Sequence, residues 1–483
     1  MVEEATIVVL GDIGHSPRMC YHALSLADHG VNVQIVSYLN SIPPKRIAEH
    51  DKIEFVTITP PPDFIATKIP TSLSLFLKFI WTGIILLFTL IFRTSLWSTF
   101  ILIQNPPGLP VMAVCYLVAK LKGAYFIVDW HNYTWSILDH KYSCKNNNDK
   151  KEVINNEDQL INEEETIMCN NKYIRKLIKG TQWYEGFFGR RAHFNLCVSK
   201  CMKKNLDRKW NVKAEVLYDK APSWNFKRLM SNEKCQFLND LSTKSGFELL
   251  NDNNGRNKFV ENKDGTLIMR NDRPILLVSS TSWTEDEDFS ILLKALYEYD
   301  NDKSDDLPNI ICVITGKGPM KEYYLNEIKN YDLQKVLFIT PWLEASDYPK
   351  LLGSADLGVS LHTSTSGIDL PMKVVDMFGC KTPVLAKNFN AITELVKNGY
   401  NGYLFNDYDE LKQRLTFLLT GFPTSSTTLN ELHFNLLNEN SLTWEDNWNK
   451  LFWPIIEGIS KRRFDREVEE MGLDKESDDK KEK

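Results

Sequence analysis

No C-x-x-C pair occurs among the nine cysteines of this 483-residue chain, so neither a zinc site nor a disulfide framework is suggested. Reduced, mostly buried thiols are the simplest state. Basic residues are not in excess either. With 57 Lys and Arg against 63 Asp and Glu the net charge is -6, and no basic field exists to hold nucleic acid. The short cluster from Lys200 to Lys209 reads as a solvated helix face. Val2, Glu3 and Glu4 run straight into the first strand, so no signal peptide is expected. The turn after that strand, Gly11-Asp12-Ile13-Gly14-His15, is not G-x-G-x-x-G and lacks a clear ribose acid about 20 residues on, which argues against a dinucleotide site.

What is present is an ordinary globular composition, 43% hydrophobic and 25% charged, on a chain too long for one core. Apolar strands alternate with helical segments. Thr6 to Leu10 reads as strand, Ser16 and Pro17 as N-cap and first helical residue, and the helix runs to about His29 before Gly30 stops it. Val31 to Tyr38, Phe100 to Gln104, Ala124 to Asp129 and Phe194 to Val198 continue as strands, with helices over Leu109 to Leu121 and Tyr173 to Phe188. Pro274 to Val278, Ile310 to Ile314, Val336 to Ile339, Leu357 to Ser360 and Val384 to Ala386 repeat the pattern. The reading is α/β, with two Rossmann-like domains over residues 1–220 and 221–440 facing across a cleft. Two polar stretches, 140–171 and 232–271, read as insertions. A helix over 441–466 carrying Trp444, Trp448 and Trp453 reads as a packing brace between the domains, and 467–483 as a charged tail.

Leu73 to Phe92 is a nearly continuous apolar run. Its polar members Ser74, Lys78, Thr82, Thr89 and Arg93 fall at helical spacing on one narrow stripe, leaving the rest of the circumference apolar. Lys78 within it favours a helix lying in a membrane interface over one that spans a bilayer or is wholly buried.

Polar residues capable of chemistry sit where strands end. The loop from Gly11 to Arg18 presents Asp12, Gly14 and His15, either to a ligand or merely as a tight turn. Asp129 and His131 follow another strand and share a side if the strand persists, as a base for an attacking hydroxyl or as loop-shaping residues. In the second half, Thr315-Gly316-Lys317-Gly318-Pro319 offers backbone N–H groups ahead of a helix, with Lys317 and Lys321 adding charge for an anion. The segment from Asp356 to Ala386 places a loop containing His362 and Gly367 before a helix with Lys373 and Asp376. Lys373 suits a leaving diphosphate and Asp376 two ribose hydroxyls; the simple alternative is an i,i+3 ion pair.

These residues, with VVLGDIGHSPRMCYHALSLADHG, LIQNPPGLP, VDWHNY, YEGFFGR, LYDKAP, LLVSSTSWTEDEDFSILLKAL, CVITGKGPMKEYY and the long run from Pro341 to Cys380, resemble the eukaryotic chitobiosyldiphosphodolichol beta-mannosyltransferases. The resemblance covers both halves and spares the two polar stretches. It implies a GT-B glycosyltransferase that inverts the anomeric centre of GDP-mannose. The acceptor is dolichyl-diphosphate chitobiose, the product a beta-1,4 link, and the place the cytosolic face of the endoplasmic reticulum membrane. The membrane surface and other dolichol-pathway mannosyltransferases are the expected partners. Members of the family usually begin with a transmembrane anchor; none is read here, which adds weight to residues 73–92.

Carried onto this chain, the family's P-x-K-x-x-D/E motif falls on Pro371, Lys373 and Asp376, and Ser366 or Asp369 stands where a retaining enzyme has its first Glu. The donor is thereby assigned Gly316, Lys317, Gly318, His362, Gly367, Asp369, Lys373 and Asp376. Asp129, His131 and Asp12, in that order, are the candidates for catalytic base. Gly14, His15, Arg18 and Glu185 are assigned to the acceptor, with Glu185 as a weaker alternative base. No metal ligands are assigned, no cofactor is obligatory, and Mg2+ is given at most a stimulating part. A nucleotide-sugar epimerase and a non-catalytic paralogue that scaffolds dolichol-pathway components are the competing classes.

Overall fold

The computed structural model describes residues 4–63, 71–144, 172–284, 287–304, 306–440 and 442–470. The chain divides into two compact units, Met1–Tyr218 with Asp446–Lys483, and Asp219–Glu445.

Unit 1 contains β1 (Glu4–Asp12), α1 (Pro17–Asp28), β2 (Asn32–Tyr38), β3 (Ile53–Thr57), α2 (Thr71–Phe92), β4 (Phe100–Asn105) and α3 (Val111–Lys122). It continues with β5 (Tyr125–Trp130), α4 (Thr134–Cys144), α5 (Lys172–Gly189), β6 (Phe194–Cys197), α6 (Lys200–Trp210) and β7 (Glu215–Val216). All seven strands pair in parallel in the order β3-β2-β1-β4-β5-β6-β7. The reason is visible in composition. Ile7, Val8, Ile101, Leu102, Ile127 and Val128 are buried on successive positions, so both sheet faces need covering, which only helical crossovers supply. Gly30, at φ +87°, ends α1 as the sequence predicts.

Unit 2 begins with α7 (Ser231–Leu241) and the antiparallel hairpin of β8 (Val260–Lys263) and β9 (Thr266–Met269). Its sheet follows: β10 (Ile275–Ser280), α8 (Ser290–Asp300), β11 (Ile310–Thr315), α9 (Lys321–Lys329), β12 (Val336–Ile339), α10 (Tyr348–Ser354) and β13 (Leu357–Ser360). Then come α11 (Met372–Gly379), β14 (Val384–Lys387), β15 (Gly402–Phe405), α12 (Tyr408–Leu419) and α13 (Thr427–Asn438). The order β12-β11-β10-β13-β14-β15, all parallel, repeats the topology of unit 1. Each sheet reverses strand order beside its first strand, the place where ligands of such folds bind.

Three expectations change here. The polar stretch 232–271, read as an insertion, is built into the core of unit 2, because its sparse apolar residues are well spaced: Cys235, Leu238 and Leu241 share a face of α7 and join Phe247 and Phe259 against β10 and β11. The single C-terminal helix is two, α14 (Trp444–Leu451) and α15 (Trp453–Glu470), with Asp446 onward assigned to unit 1. Of the stretch 140–171, residues to Cys144 complete α4, and 145–171 lie outside the described residues, as does the tail beyond 470.

Helix α2 forms where the apolar run predicts it, and its orientation reverses the usual rule. Ser74, Thr82 and Thr89 of the polar stripe are buried with Leu86 and Leu90, whereas Leu73, Phe76, Phe79, Ile80, Ile84, Phe88 and Phe92 are exposed. Among the described residues no helix is long and apolar enough to cross a membrane.

Candidate active site

In unit 1 the ends of β1, β4 and β5 bring the first-loop helix beside the Asp129 segment. Asp129 is fully buried. Its carboxylate is gripped by the Arg18 guanidinium through Nε at 2.7 Å and Nη2 at 2.9 Å, and it also meets His22 Nε2 at 3.2 Å and His131 Nε2 at 2.9 Å. Arg18 and His22 lie four residues apart on α1, hence on one face, which is why both reach one acid. Burial alone would raise the Asp129 pKa, but the Arg18 charge and the two histidines hold it well below the usual carboxylate range. An ionised carboxylate accepts only, so His131 must carry its proton on Nε2. Its Nδ1 has no partner among the described residues, and the ring is about one-fifth exposed.

This geometry reorders the candidates for base. Asp129 has no exposed surface and each oxygen is occupied, so it cannot reach a substrate proton; it orients His131, whose ring is partly exposed. Arg18, assigned to the acceptor, is likewise buried and spent on Asp129 and the Leu217 carbonyl. Glu185 is fully buried, accepting from Asn105 Nδ2 and Thr134 N, each at 2.8 Å, and from Trp135 N at 3.2 Å. It caps the first turn of α4, a structural task. Asp12 accepts from Ser41 Oγ at 2.5 Å and Asn40 N at 3.2 Å, which lowers its pKa against the opposing effect of burial and ties β1 to the loop after β2. A Cβ on Gly14 would collide with the Ser41 hydroxyl, so this glycine serves that loop packing. His15, largely exposed beside Asp12, remains available to a ligand.

In unit 2 the loops after β10, β11 and β13 meet the start of α11. Lys373 does not pair with Asp376 as the simple helical alternative supposed. Its Nζ contacts Glu287 Oε1 at 2.5 Å and Ser282 Oγ at 3.3 Å, about a quarter of the side chain remaining exposed. Glu287 in turn accepts from Thr281 Oγ1 at 2.7 Å and Ser282 N at 2.6 Å, and His362 Nδ1 lies 3.6 Å away. Although burial opposes ionisation, His362, Lys373 and these hydrogen bonds keep Glu287 strongly acidic. Glu287 is hidden in the sequence because its place in the acidic run from Glu285 to Asp288 looks like a solvated loop; the signal for it is a carboxylate in the loop that follows a strand end.

Gly316 and Gly318 hold the two neighbouring loops together: a Cβ on either would strike the Thr281 or Ser282 carbonyl, and Gly316 has φ +120°. Lys317 is exposed, with Nζ 3.8 Å from the centre of the Trp342 ring. Gly367, at φ +70°, turns the loop ahead of α11. Asp369 and Asp376 both have raised pKa values, from burial first and then from the Asp219 carboxylate, an acid the sequence reading also missed; His362 and Ser364 partly offset this at Asp369. The donor candidates other than Lys317 thus converge on the loops and helix start around Glu287 and Gly367.

Comparison with known proteins identifies the family and the fold. Residues 267–426 match the family of glycosyl transferases group 1. The chain is 40% identical over 457 residues to the chitobiosyldiphosphodolichol beta-mannosyltransferase of Pongo abelii, covering 93% of this chain and 91% of that one. It is 38% identical over 481 residues to the UDP-glycosyltransferase TURAN of Arabidopsis thaliana, covering 94% and 97%. Among solved structures, Anabaena HepE in complex with UDP and glucose aligns over 95% of this chain and all of that one, with a TM-score of 0.58 at 12% identity, a likeness of fold alone. Paired Rossmann-like units and identity sustained across both of them establish that the chain is a GT-B glycosyltransferase belonging to the chitobiosyldiphosphodolichol beta-mannosyltransferase family.

Proposed function

We propose that the chain transfers mannose from GDP-mannose to dolichyl-diphosphate-linked chitobiose with inversion, forming a beta-1,4 link on the cytosolic face of the endoplasmic reticulum membrane. The observation that carries the reading is His131: Nε2–H committed to an ionised Asp129, Nδ1 open, at the end of a parallel strand. In this reading the 4-hydroxyl of the distal N-acetylglucosamine attacks mannose C1 and its proton passes to Nδ1. The C1–O bond to diphosphate breaks on the opposite face, and GDP leaves with the bonding pair. Lys373 offsets the charge developing on GDP, and Asp376 receives the ribose hydroxyls. No metal is given an obligatory part.

The test is transfer from GDP-mannose to a short-chain lipid-linked chitobiose, with linkage analysis of the product and UDP-sugars as competing donors. Mannosylated product with a beta-1,4 link is expected. Preference for a UDP-sugar would overturn the donor, and GDP-mannose binding without transfer would favour a scaffolding paralogue.

The acceptor's lipid also gives α2 its purpose. Each CH₂ withdrawn from a bilayer into water costs about 0.8 kcal/mol, so the enzyme meets its substrate at the membrane. The outward row of Phe76, Ile84 and Phe88 is the surface for it. Replacing these three exposed residues by serine is expected to abolish co-sedimentation with phosphatidylcholine vesicles while leaving the urea midpoint within error; unchanged sedimentation would sink this role.

A further inference from the structure

Helix α14 reaches into the His131 site through a chain of hydrogen bonds. Trp448, fully buried, donates its indole N–H to His22 Nδ1 at 3.0 Å. An indole nitrogen only donates, so His22 Nδ1 must be a lone pair and its single proton must sit on Nε2. That proton points at Asp129 Oδ2, the oxygen that also accepts from His131. His22 is wholly buried, and burial holds its pKa down, in keeping with the neutral ring this pattern requires. Phe452 packs edge-on against both rings, at 5.2 Å from His22 and 5.5 Å from Trp448, and keeps them in register.

We infer that Trp448 and His22 are positioning residues for catalysis: Trp448 selects the His22 tautomer, His22 donates to Asp129, and Asp129 so supplied sets how tightly His131 holds its proton. The inference rests on the assignment of His131 as base. The charged and titratable groups facing this assembly are Arg18 and His22 from α1, His29 just past α1 with its ring 5.3 Å from that of Trp448, Asp129 and His131 from β5 and its loop, Cys197 from β6 and Lys203 from α6. Arg18 is fixed in charge, and burial pushes the Cys197 thiol up to about 12, so of the groups bonded to Asp129 the two histidines are the adjustable ones, and His22 is the one that Trp448 reaches.

Trp448→Phe removes the donor that holds the His22 Nδ1 lone pair, so the proton shifts toward Nδ1 and a lone pair toward Asp129. The carboxylate then loses one donor, its charge is less offset, and His131 retains its proton to higher pH. Trp448→Phe, which keeps the ring and removes the N–H, is therefore expected to lower kcat at neutral pH about ten- to a hundredfold, the usual loss for orienting groups. KM for the sugar donor stays constant, the acidic limb of the kcat profile moves to higher pH, and activity recovers above it. Simple structural damage would not recover with pH. His22→Phe should shift the limb in the same direction and His22→Gln, which restores an N–H toward Asp129, should bring it back. This pair decides the matter if Trp448→Phe does not fold. Superimposable pH profiles for wild type, Trp448→Phe and His22→Phe would overturn the inference.

Selective ¹⁵N-histidine NMR separates it from the assignment on which it rests. The wild type should show His22 neutral with its proton on Nε2, and His131 should titrate at higher pH in Trp448→Phe. A His22 protonated on Nδ1 in the wild type, or an unmoved His131, refutes the coupling. A moved His131 together with full turnover by His131→Gln refutes the base instead and leaves the coupling standing.

Discussion

Asp129 in unit 1 accepts from Arg18, His22 and His131, whereas Asp376 in unit 2 is faced, among the described residues, by the charge of another acid, Asp219. The first carboxyl is held ionised in a fully buried place; the second is pushed well above the normal carboxylate range by burial and then by the Asp219 charge. The difference lies in neighbours rather than in burial, since desolvation acts on both in the same direction. It suits the two tasks proposed for them. An acid that orients a histidine must stay charged and need never touch substrate, while one that meets ribose hydroxyls gains from keeping a hydrogen-bond face that no side chain already fills. Unit 2 does contain an acid treated like Asp129: Glu287, clamped to Lys373.

The largest test of that contrast is Asp129→Asn. The amide keeps the shape but not the charge, leaving Arg18 buried without a counterion, a loss of about 3–5 kcal/mol in stability. It also removes the reason for His131 to hold its proton on Nε2. Turnover is expected to fall about 10³- to 10⁴-fold, as for other orienting acids whose loss frees the wrong tautomer. Steady-state kinetics and urea unfolding read both effects, and a variant that kept its turnover would end the claim that Asp129 serves His131. Lys373→Met should be milder. A charge-assisted contact to diphosphate is worth roughly 1.5–3 kcal/mol, so kcat/KM for the donor drops about ten- to a hundredfold. Part of that loss comes from the stranded Glu287, and the double variant with Glu287→Gln should restore stability but not activity. Restored activity would make the ion pair structural.

How much of this was legible in sequence follows from the range of each contact. The alternation of buried strands with helices is local, so both sheets, the strand ends bearing Asp129, His131 and Gly316, and the helix start bearing Lys373 could be read directly. Asp129 lies on β5 and His131 one residue past its end, and alternation carried that one step further puts them on the same side. Arg18 lies 111 residues from Asp129, and Trp448 lies 426 from His22. Nothing periodic links such pairs, so Arg18 was read as a substrate contact and Trp448 as packing alone. Helix α2 shows a different limit. Spacing reveals that a helix has two faces without revealing which one the protein keeps, and here it keeps Ser74, Thr82 and Thr89. Glu287 was hidden by its company, because a carboxylate in an acidic run looks solvated until a lysine from α11 arrives beside it.

Asp376→Asn makes the smallest change and puts the opposite end of the contrast to proof. A carboxyl whose folded pKa is raised above its unfolded value of 3.8 contributes stability that is fully present below that value. The contribution is lost as pH rises through the folded value, because the unfolded chain releases the proton earlier. Asp129 has the reverse sign: its folded value lies below 3.8, so its contribution is complete at neutral pH and is lost only as pH falls through the folded value. Asparagine cannot ionise and copies the neutral acid. Urea midpoints of wild type and Asp376→Asn should therefore nearly coincide at pH 4 and separate as pH rises, with the variant the more stable of the two at pH 7.5. A gap that is constant with pH, or one that closes on the alkaline side, would mean that Asp376 is ionised in the folded protein. The two acids would then differ in partners but not in charge.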